Sequence, residues 1–182
     1  MSKSKKNVVD PTAIIDTYGA DTARWFVLSD SPPERDLEWS ESGIEGCWRF
    51  TQRLWRLVAQ VSGADGADKD LARKMHQATA GVAADVEALS FNKAIAKIYE
   101  LTAAIEKAKP SATRDEVIRR IIQLASPMVP HLAEEAWTHL GGEGLIADAP
   151  WPDVDESLLV DDEVTIALQV KGKLRDTITI AK

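Results

Sequence analysis

A short lysine- and serine-rich segment at the start of the chain carries the residues best suited to chemistry. Ser2, Lys3 and Ser4 place two hydroxyl groups and an ammonium group on successive residues, and Lys5 and Lys6 follow directly. An ammonium group on a loop can bind a polyphosphate and stabilise the charge that grows on it in a transition state. Composition alone favours a solvated basic tail, so the surrounding sequence must decide between the two interpretations.

Three arginines form a second candidate site, on a helix predicted over about 42–62. Arg49, Arg53 and Arg56 recur at steps of four and three, which places them on one helix face. Such a basic stripe indicates contacts with nucleic-acid phosphates. The alternative is a solvated face on which Glu45 pairs with Arg49 at i, i+4.

The tryptophans and the cysteine are expected to be packing residues. Trp48, Trp55 and Trp137 fall on apolar faces of predicted helices, so we predict that they lie in the core and do not stack on bases. Cys47 precedes Trp48 on the same apolar face. A buried thiol of this kind is a packing residue and not a nucleophile.

His131, Glu135 and His139 lie on one stripe of a predicted helix and could in principle bind a divalent metal ion. The two histidines are eight residues apart, which corresponds to about 12 Å along a helix axis. That distance is too long for both rings to bind one ion. We therefore predict no metal site in this chain.

Composition restricts the class of protein. Apolar residues make up 45% of the 182 residues and charged residues 28%, which is sufficient for a real core and excludes a disordered chain. No apolar run reaches the roughly 18 to 20 residues of a membrane span. One cysteine and no leader segment predict a reducing compartment, the cytoplasm. The net charge of −7 arises entirely after residue 130, so it neither excludes nor suggests a polyanionic partner.

The hydrophobic pattern predicts a mainly α fold. Apolar residues at spacings of three and four predict an antiparallel helical bundle over 41–140, and the spacing from Thr113 to Glu116 predicts a helix that begins with a capping box. After 157 the period changes to two, which predicts a β-hairpin. We expect a lysine- and serine-rich loop and connective segment (1–40), the bundle (41–140), a linker (141–157) and the start of a small α/β domain (158–182).

The hairpin pattern also predicts a register. A three-residue loop over Val170–Gly172 would pair Leu168 with Leu174 and Val164 with Ile178, so that apolar residues face apolar residues. This loop places its glycine in the left-handed position of a bulged turn. Because an isolated hairpin is marginal in water, we expect it to belong to a larger sheet.

Several short strings together form a recognisable pattern. They are Met1-Ser2-Lys3-Ser4, Tyr18-Gly19-Ala20-Asp21 with Arg24 after it, Leu37-Glu38-Trp39, Arg53-Leu54-Trp55, Pro127-Met128-Val129-Pro130-His131, Ala149-Pro150-Trp151-Pro152 and Gln169-Val170-Lys171-Gly172-Lys173-Leu174-Arg175. In these strings the chain resembles class I aminoacyl-tRNA synthetases from the KMSKS signature onward, without the leading lysine. Within that class it is similar to the leucyl enzymes, and the resemblance covers essentially its whole length.

The resemblance implies an ATP-dependent leucine–tRNA ligase that uses Mg²⁺ and makes leucyl-adenylate before transfer to leucine tRNA. Lys3 would stabilise the departing pyrophosphate as a catalytic residue, and Ser2 and Ser4 would hold the loop near ATP. The Rossmann domain and the editing domain would precede Met1, so this chain is not expected to be catalytic alone.

The resemblance further implies that the bundle is the anticodon-binding type of domain and supports the tRNA body through Arg49, Arg53 and Arg56. It implies a monomer without membrane association. Two alternatives remain open: a synthetase of another branched aliphatic amino acid, against which the Trp151 string argues, and a non-catalytic module that binds RNA or protein.

Overall fold

A computed structural model describes residues 9–30, 32–160, 163–170 and 173–181. Helices dominate these ranges and a two-stranded antiparallel hairpin follows them, which confirms the mainly α fold class. The elements are α1 (Pro11–Tyr18), α2 (Ala20–Asp30), α3 (Glu41–Val58), α4 (Lys69–Glu87), α5 (Phe91–Lys107), α6 (Ala112–Ala125), α7 (Pro130–His139), β1 (Glu163–Val170) and β2 (Lys173–Ala181). Short 3-10 turns at Ile146–Asp148 and Glu156–Leu158 lie between α7 and β1.

The core lies among α2 to α6. Each of these helices presents apolar side chains at spacings of three and four, and the side chains meet in one cluster that continues into the turn before α7. Full burial of each such side chain contributes about 1.5 to 3 kcal/mol. The largest fully buried members include Trp25, Ile44, Leu54, Ile98 and Ile118.

The buried face of α3 differs from the predicted one. Trp48 and Trp55 are exposed, at 41% and 37%, whereas Phe50 and Leu57 are buried. At about 100° per residue, Phe50 and Leu57 lie within about 60° of Leu54 around the helix, but both tryptophans lie at least about 100° away. The prediction that these two indoles belong to the core is therefore wrong, because it followed a spacing of three and four through Trp48 and Trp55 and left out Phe50 and Leu57.

The start of α6 also differs from the prediction. Ser111 is the N-cap residue, and its side chain accepts a hydrogen bond from the backbone N–H of Arg114. The Thr113 hydroxyl instead accepts from the backbone N–H of Asp68 at 3.1 Å. The predicted capping box at Thr113 is wrong, because its side chain joins α6 to the start of α4.

Two charged residues in the first turn of α6 fix the neighbouring loop. The Asp115 carboxylate, 7% exposed, accepts hydrogen bonds from the backbone N–H groups of Ser62 (3.0 Å) and Gly63 (2.7 Å). The Arg114 guanidinium donates to the side-chain oxygen of Gln60 at 2.6 Å and to a carbonyl in the last turn of α5. These bonds hold the end of α3 and the end of α5 against α6.

The hairpin has a register that differs from the predicted one. Val164 lies opposite Ile180 and Leu168 opposite Asp176, in each case two residues beyond the predicted partner. The register shifts between Leu168 and the next residue, which leaves Arg175 as the extra residue of a bulge. Two residues, and not the predicted three, separate the paired residues Val170 and Lys173. The bulge then shifts the register by one residue, so that apolar residues lie opposite each other again at the end of the hairpin away from this connection.

Two predicted features lie outside the described residues. Ser2, Lys3 and Ser4 precede the first described residue, and Lys171 and Gly172 fall between the strands. The ATP-contacting role of the first three and the left-handed turn at Gly172 therefore stay predictions. The proposed division into domains stays a prediction as well.

No helix in the described part of the chain is both long enough and apolar enough to cross a lipid bilayer.

Candidate nucleic-acid interface

Helices α1 and α2 lead from the N-terminal segment into the bundle. The Asp10 carboxylate caps α1 by accepting from the Thr12 N–H at 3.0 Å. Gly19 ends α1 with φ +85° and donates its N–H to the Ile15 carbonyl at 2.9 Å. A residue with a side chain rarely adopts this conformation, so glycine allows α2 to begin immediately after α1.

Aromatic contacts anchor α2 in the core. The Trp25 indole is fully buried, stacks on Phe50 with 5.1 Å between ring centroids, and donates its N–H to the Tyr99 hydroxyl at 2.9 Å. The next residue, Phe26, lies so close to Gly43 that a Cβ there would be 2.8 Å from its ring. The connective segment is thus packed directly on α3 and α5.

Asp21 provides the N-terminal cap of α7 from another helix. Val129, at the N-cap position, makes no side-chain cap bond, and Pro130 has no N–H to donate. The Asp21 carboxylate accepts from the backbone N–H groups of Leu132 (2.6 Å) and His131 (3.4 Å), and it contacts the His131 Nδ1 at 2.9 Å. Asp21 therefore satisfies the free N–H groups that the first turn of α7 leaves.

Arg24, one turn further along α2, binds the carbonyls that precede α7. Its Nη2 donates to the Pro127 carbonyl at 2.8 Å, and its Nε donates to the Met128 carbonyl at 3.1 Å. We call Asp21, Arg24 and the segment 127–132 the α2 clamp. The sequence pattern included both residues in a string shared with synthetases but assigned them no role. The spacing of a single sequence carries no signal that they meet a segment more than 100 residues away.

The three predicted arginines differ in their availability. Arg49 is 66% exposed and meets Glu45 at 3.7 Å, a distance at which a surface pair contributes little. Arg53 is 29% exposed and pairs with Glu106 of α5 at 2.8 Å. Arg56 is exposed and makes no hydrogen bond or ion pair within the described ranges. The helix places Arg49 and Arg56 in solvent, whereas the guanidinium of Arg53 already pairs with a carboxylate of α5.

The exposed indoles lie beside the two free arginines. Trp48, Arg49, Gln52, Trp55 and Arg56 are all exposed, and the helical repeat brings them to one side of α3. We call these five residues the aromatic–basic face. The helical repeat fixes an angle of about 80 to 120° between these tryptophans and Arg49 or Arg56, so the two sets are neighbours on the helix surface and do not lie on opposite faces. Because α3 buries Phe50 and Leu57 instead of the tryptophans, both sets reach solvent.

The edge of this face reaches α7. The Trp55 ring makes an edge contact with the His139 ring, with 5.1 Å between centroids. Trp137 is half-buried and donates its indole N–H to the Glu143 carbonyl at 3.3 Å, so it is only partly the core residue that was predicted.

The histidines of α7 each have a protein partner. His131 contacts Asp21, and the Nδ1 of His139 lies 3.0 Å from the Glu135 carbonyl and 3.6 Å from its carboxylate. No group of three or more potential ligands that could hold a metal ion occurs in the part of the chain that the structure describes.

Cys47 is buried, which confirms it as a packing residue. Its side chain is 7% exposed, and burial raises the pKa of the thiol because it disfavours the thiolate. A hydrogen bond with the Ser29 hydroxyl, 3.8 Å away, lowers that pKa to a smaller extent, and the nearby charge of Asp30 raises it slightly. The sulfur is therefore a poor nucleophile at neutral pH.

Comparison with known proteins identifies two family matches. Residues 68–182 match the family described as the anticodon-binding domain of tRNA ligase. Residues 1–40 match the class I tRNA synthetases for isoleucine, leucine, methionine and valine.

Curated relatives and a solved structure agree with these matches. The chain is 66% identical over its whole length to leucine–tRNA ligases of Rhizorhabdus wittichii and of Sphingopyxis alaskensis, and it covers 22% of each of them. A crystal structure of the ternary complex of Agrobacterium radiobacter K84 agnB2 LeuRS, tRNA and LeuAMS matches with a TM-score of 0.81 and 30% identity. That match covers 100% of this chain and 25% of that one. The chain thus spans about a fifth of the length of its relatives.

The α2 clamp can be tested by replacing its carboxylate. We expect Asp21→Ala to lower the free energy of unfolding by about 1 to 3 kcal/mol, because two N–H groups of α7 lose their acceptor. Denaturant unfolding checks this value. Asp16→Ala, an exposed aspartate on α1, is the matched control and should change stability by less than about 0.5 kcal/mol. Equal effects of the two variants would show that Asp21 does not hold α7.

Proposed function

The chain belongs to the class I tRNA-ligase family through its anticodon-binding domain, and we propose that its protein ligates leucine to leucine tRNA with ATP. The observation that carries this proposal is the 66% identity to leucine–tRNA ligases along all 182 residues. Because the chain spans 22% of those relatives, the activity belongs to the longer protein.

In the proposed reaction, a carboxylate oxygen of leucine attacks the α-phosphate of ATP and pyrophosphate leaves. A hydroxyl group at the 3′ end of the tRNA then attacks the leucyl carbonyl, and AMP leaves. Both steps would take place on a nucleotide-binding domain outside this chain. Mg²⁺ would arrive bound to the phosphates of ATP, and the helices described above would hold the tRNA body.

The contribution of this chain to the first step is Lys3. Its ammonium group would approach the phosphates as negative charge moves onto the departing pyrophosphate, and the hydroxyl groups of Ser2 and Ser4 would hold the loop near ATP. The family match over residues 1–40 supports this assignment.

The contribution to tRNA binding is the basic stripe of α3. Arg49 and Arg56 are free to meet phosphates, and Arg53 would contribute less because Glu106 already neutralises it. We further propose that the protein acts as a cytoplasmic monomer without membrane association.

Amino-acid-dependent exchange of pyrophosphate into ATP tests the activity. We expect the intact protein to exchange with leucine at least about tenfold faster than with isoleucine, valine or methionine, since a side chain branched at Cβ or an unbranched thioether fits a pocket shaped for leucine less well. Lys3→Ala should lower the rate about 100- to 1,000-fold, because it removes one preorganised charge. Lys69→Ala, an exposed lysine at the start of α4, is the control and should leave the rate unchanged.

Absence of exchange with every amino acid, from a folded protein, would contradict the proposal. It would favour the alternative of a non-catalytic module that binds RNA or protein. An unchanged rate in Lys3→Ala would remove only this residue from the mechanism.

The role of the arginines can be tested through the salt dependence of tRNA binding. Each lost phosphate contact should reduce the slope of log Kd against log salt concentration by about 0.7 to 0.9. We expect Arg49→Ala and Arg56→Ala together to reduce the slope by up to twice that amount, and Arg53→Ala to reduce it less. A filter-binding titration at four salt concentrations measures the slopes. Identical slopes in all variants would favour a solvated face without contact to RNA.

A further inference from the structure

The aromatic–basic face of α3 exposes two large indole groups. Trp48 is 41% exposed and Trp55 is 37% exposed, although indole is strongly apolar and both residues lie on a helix that is packed into the bundle. The two residues are seven positions apart, so they lie about 10.5 Å apart along the helix axis on nearly the same side. A pair of exposed tryptophans in one row indicates a contact surface.

A second row of positive charge runs beside the indoles. Arg49 and Arg56 are also seven positions apart, and Gln52 lies between the two rows, three or four residues from each of the four side chains. The face therefore presents flat apolar groups next to guanidinium groups with the same axial repeat.

Along α3 itself the charge after Glu45 is of one sign, and the carboxylates from other helices lie at the edges of the face, Glu106 beside Arg53 and Glu135 beside His139. Residues 46–64 contain Arg49, Arg53 and Arg56 but no aspartate or glutamate. The nearest carboxylate on the helix is Glu45, at 3.7 Å from Arg49. A partner for this surface must bring negative charge to the arginine row and a flat apolar group to the indole row.

We propose that Trp48 stacks on the base of an unpaired tRNA nucleotide while Arg49 and Arg56 bind the phosphates on either side of it. This inference rests on the proposed function and adds to it the kind of RNA element that the face recognises. Trp48 is the principal platform, because the Trp55 ring is partly engaged by His139. Trp55 extends the same apolar row by one further contact.

An unpaired nucleotide fits this surface better than the other partners that could cover it. Bases in a duplex are stacked on each other and cannot lie flat on an indole, whereas an unpaired base exposes its π-face. An apolar protein groove would bury Arg49 and Arg56 without compensating charge, which is unfavourable. An unpaired nucleotide supplies both the flat group and the phosphates.

Binding measurements on the intact protein test the proposal. The probe is a leucine tRNA transcript labelled with fluorescein, and a fully paired RNA duplex of 12 base pairs serves as the comparison. We expect Trp48→Ala to weaken tRNA binding about 5- to 150-fold, the range that loss of one base–aromatic stack corresponds to. The salt slope should stay unchanged, because no charge is lost, and duplex binding should stay unchanged as well.

Two variants make the result specific. Trp48→Phe keeps an aromatic face and should restore most of the lost affinity. Trp151→Ala removes a tryptophan of similar exposure, 39%, outside α3 and should leave the affinity unchanged. Equal Kd values for tRNA in Trp48→Ala and Trp151→Ala would overturn the proposal. Equal weakening of tRNA and duplex binding by Trp48→Ala would overturn it as well.

Oxidative footprinting of the unaltered protein gives a second measurement that does not depend on how a variant folds. Bound tRNA should slow the hydroxyl-radical oxidation of Trp48 and leave Trp151 unaffected; unchanged oxidation of Trp48 in a saturated complex would overturn the proposal.

Failure of this inference can be distinguished from failure of the proposed function. Arg49→Ala with Arg56→Ala can reduce the salt slope even where Trp48→Ala has no effect, and in that case the inference fails while the tRNA contact stands.

Discussion

The packing of α2 against α7 depends on the α2 clamp. Val129 and Pro130 cannot cap α7, and Asp21 on α2 supplies the missing acceptor for the first free N–H groups. Arg24 binds two carbonyls in the turn just before them. Opposite ends of one short stretch of backbone are thus held by two side chains one turn apart, so α2 and α7 cannot separate without leaving polar groups unsatisfied.

A similar pair of charged side chains bonds backbone groups at the first turn of α6. Asp115 accepts from backbone N–H groups after α3, and Arg114 donates to groups at the ends of α3 and α5. In both places a carboxylate and a guanidinium on one helix satisfy the polar backbone of a neighbouring turn. The bonds of Arg114 and Asp115 hold the residues after α3 against α6, and α3 presents the aromatic–basic face to solvent. Because Trp25 of α2 stacks on Phe50 of α3, helix α2 and the aromatic–basic face belong to one packed unit.

The hydrophobic pattern was sufficient to predict the helices, the hairpin and the class of fold, because burial of apolar faces dominates the energetics. It was not sufficient for the details of the site. Trp48 and Trp55 are apolar but exposed, and only the packing of Phe50 against Trp25 shows which way α3 is turned. The clamp could not be predicted, because hydrogen bonds across 100 residues leave no local pattern. The hairpin register required knowledge of a bulge at Arg175, which alternation alone does not reveal.

Hydrogen exchange at two backbone amides tests the α2 clamp most directly. The N–H groups of His131 and Leu132 lie in the first turn of α7, where a helix ordinarily leaves its amides free to exchange. If Asp21 holds them, they should exchange at least about a hundredfold more slowly than in an unstructured peptide, and Asp21→Ala should remove that protection while core amides of α5 keep theirs. Exchange of both amides at the unstructured rate in the unaltered protein would contradict the account.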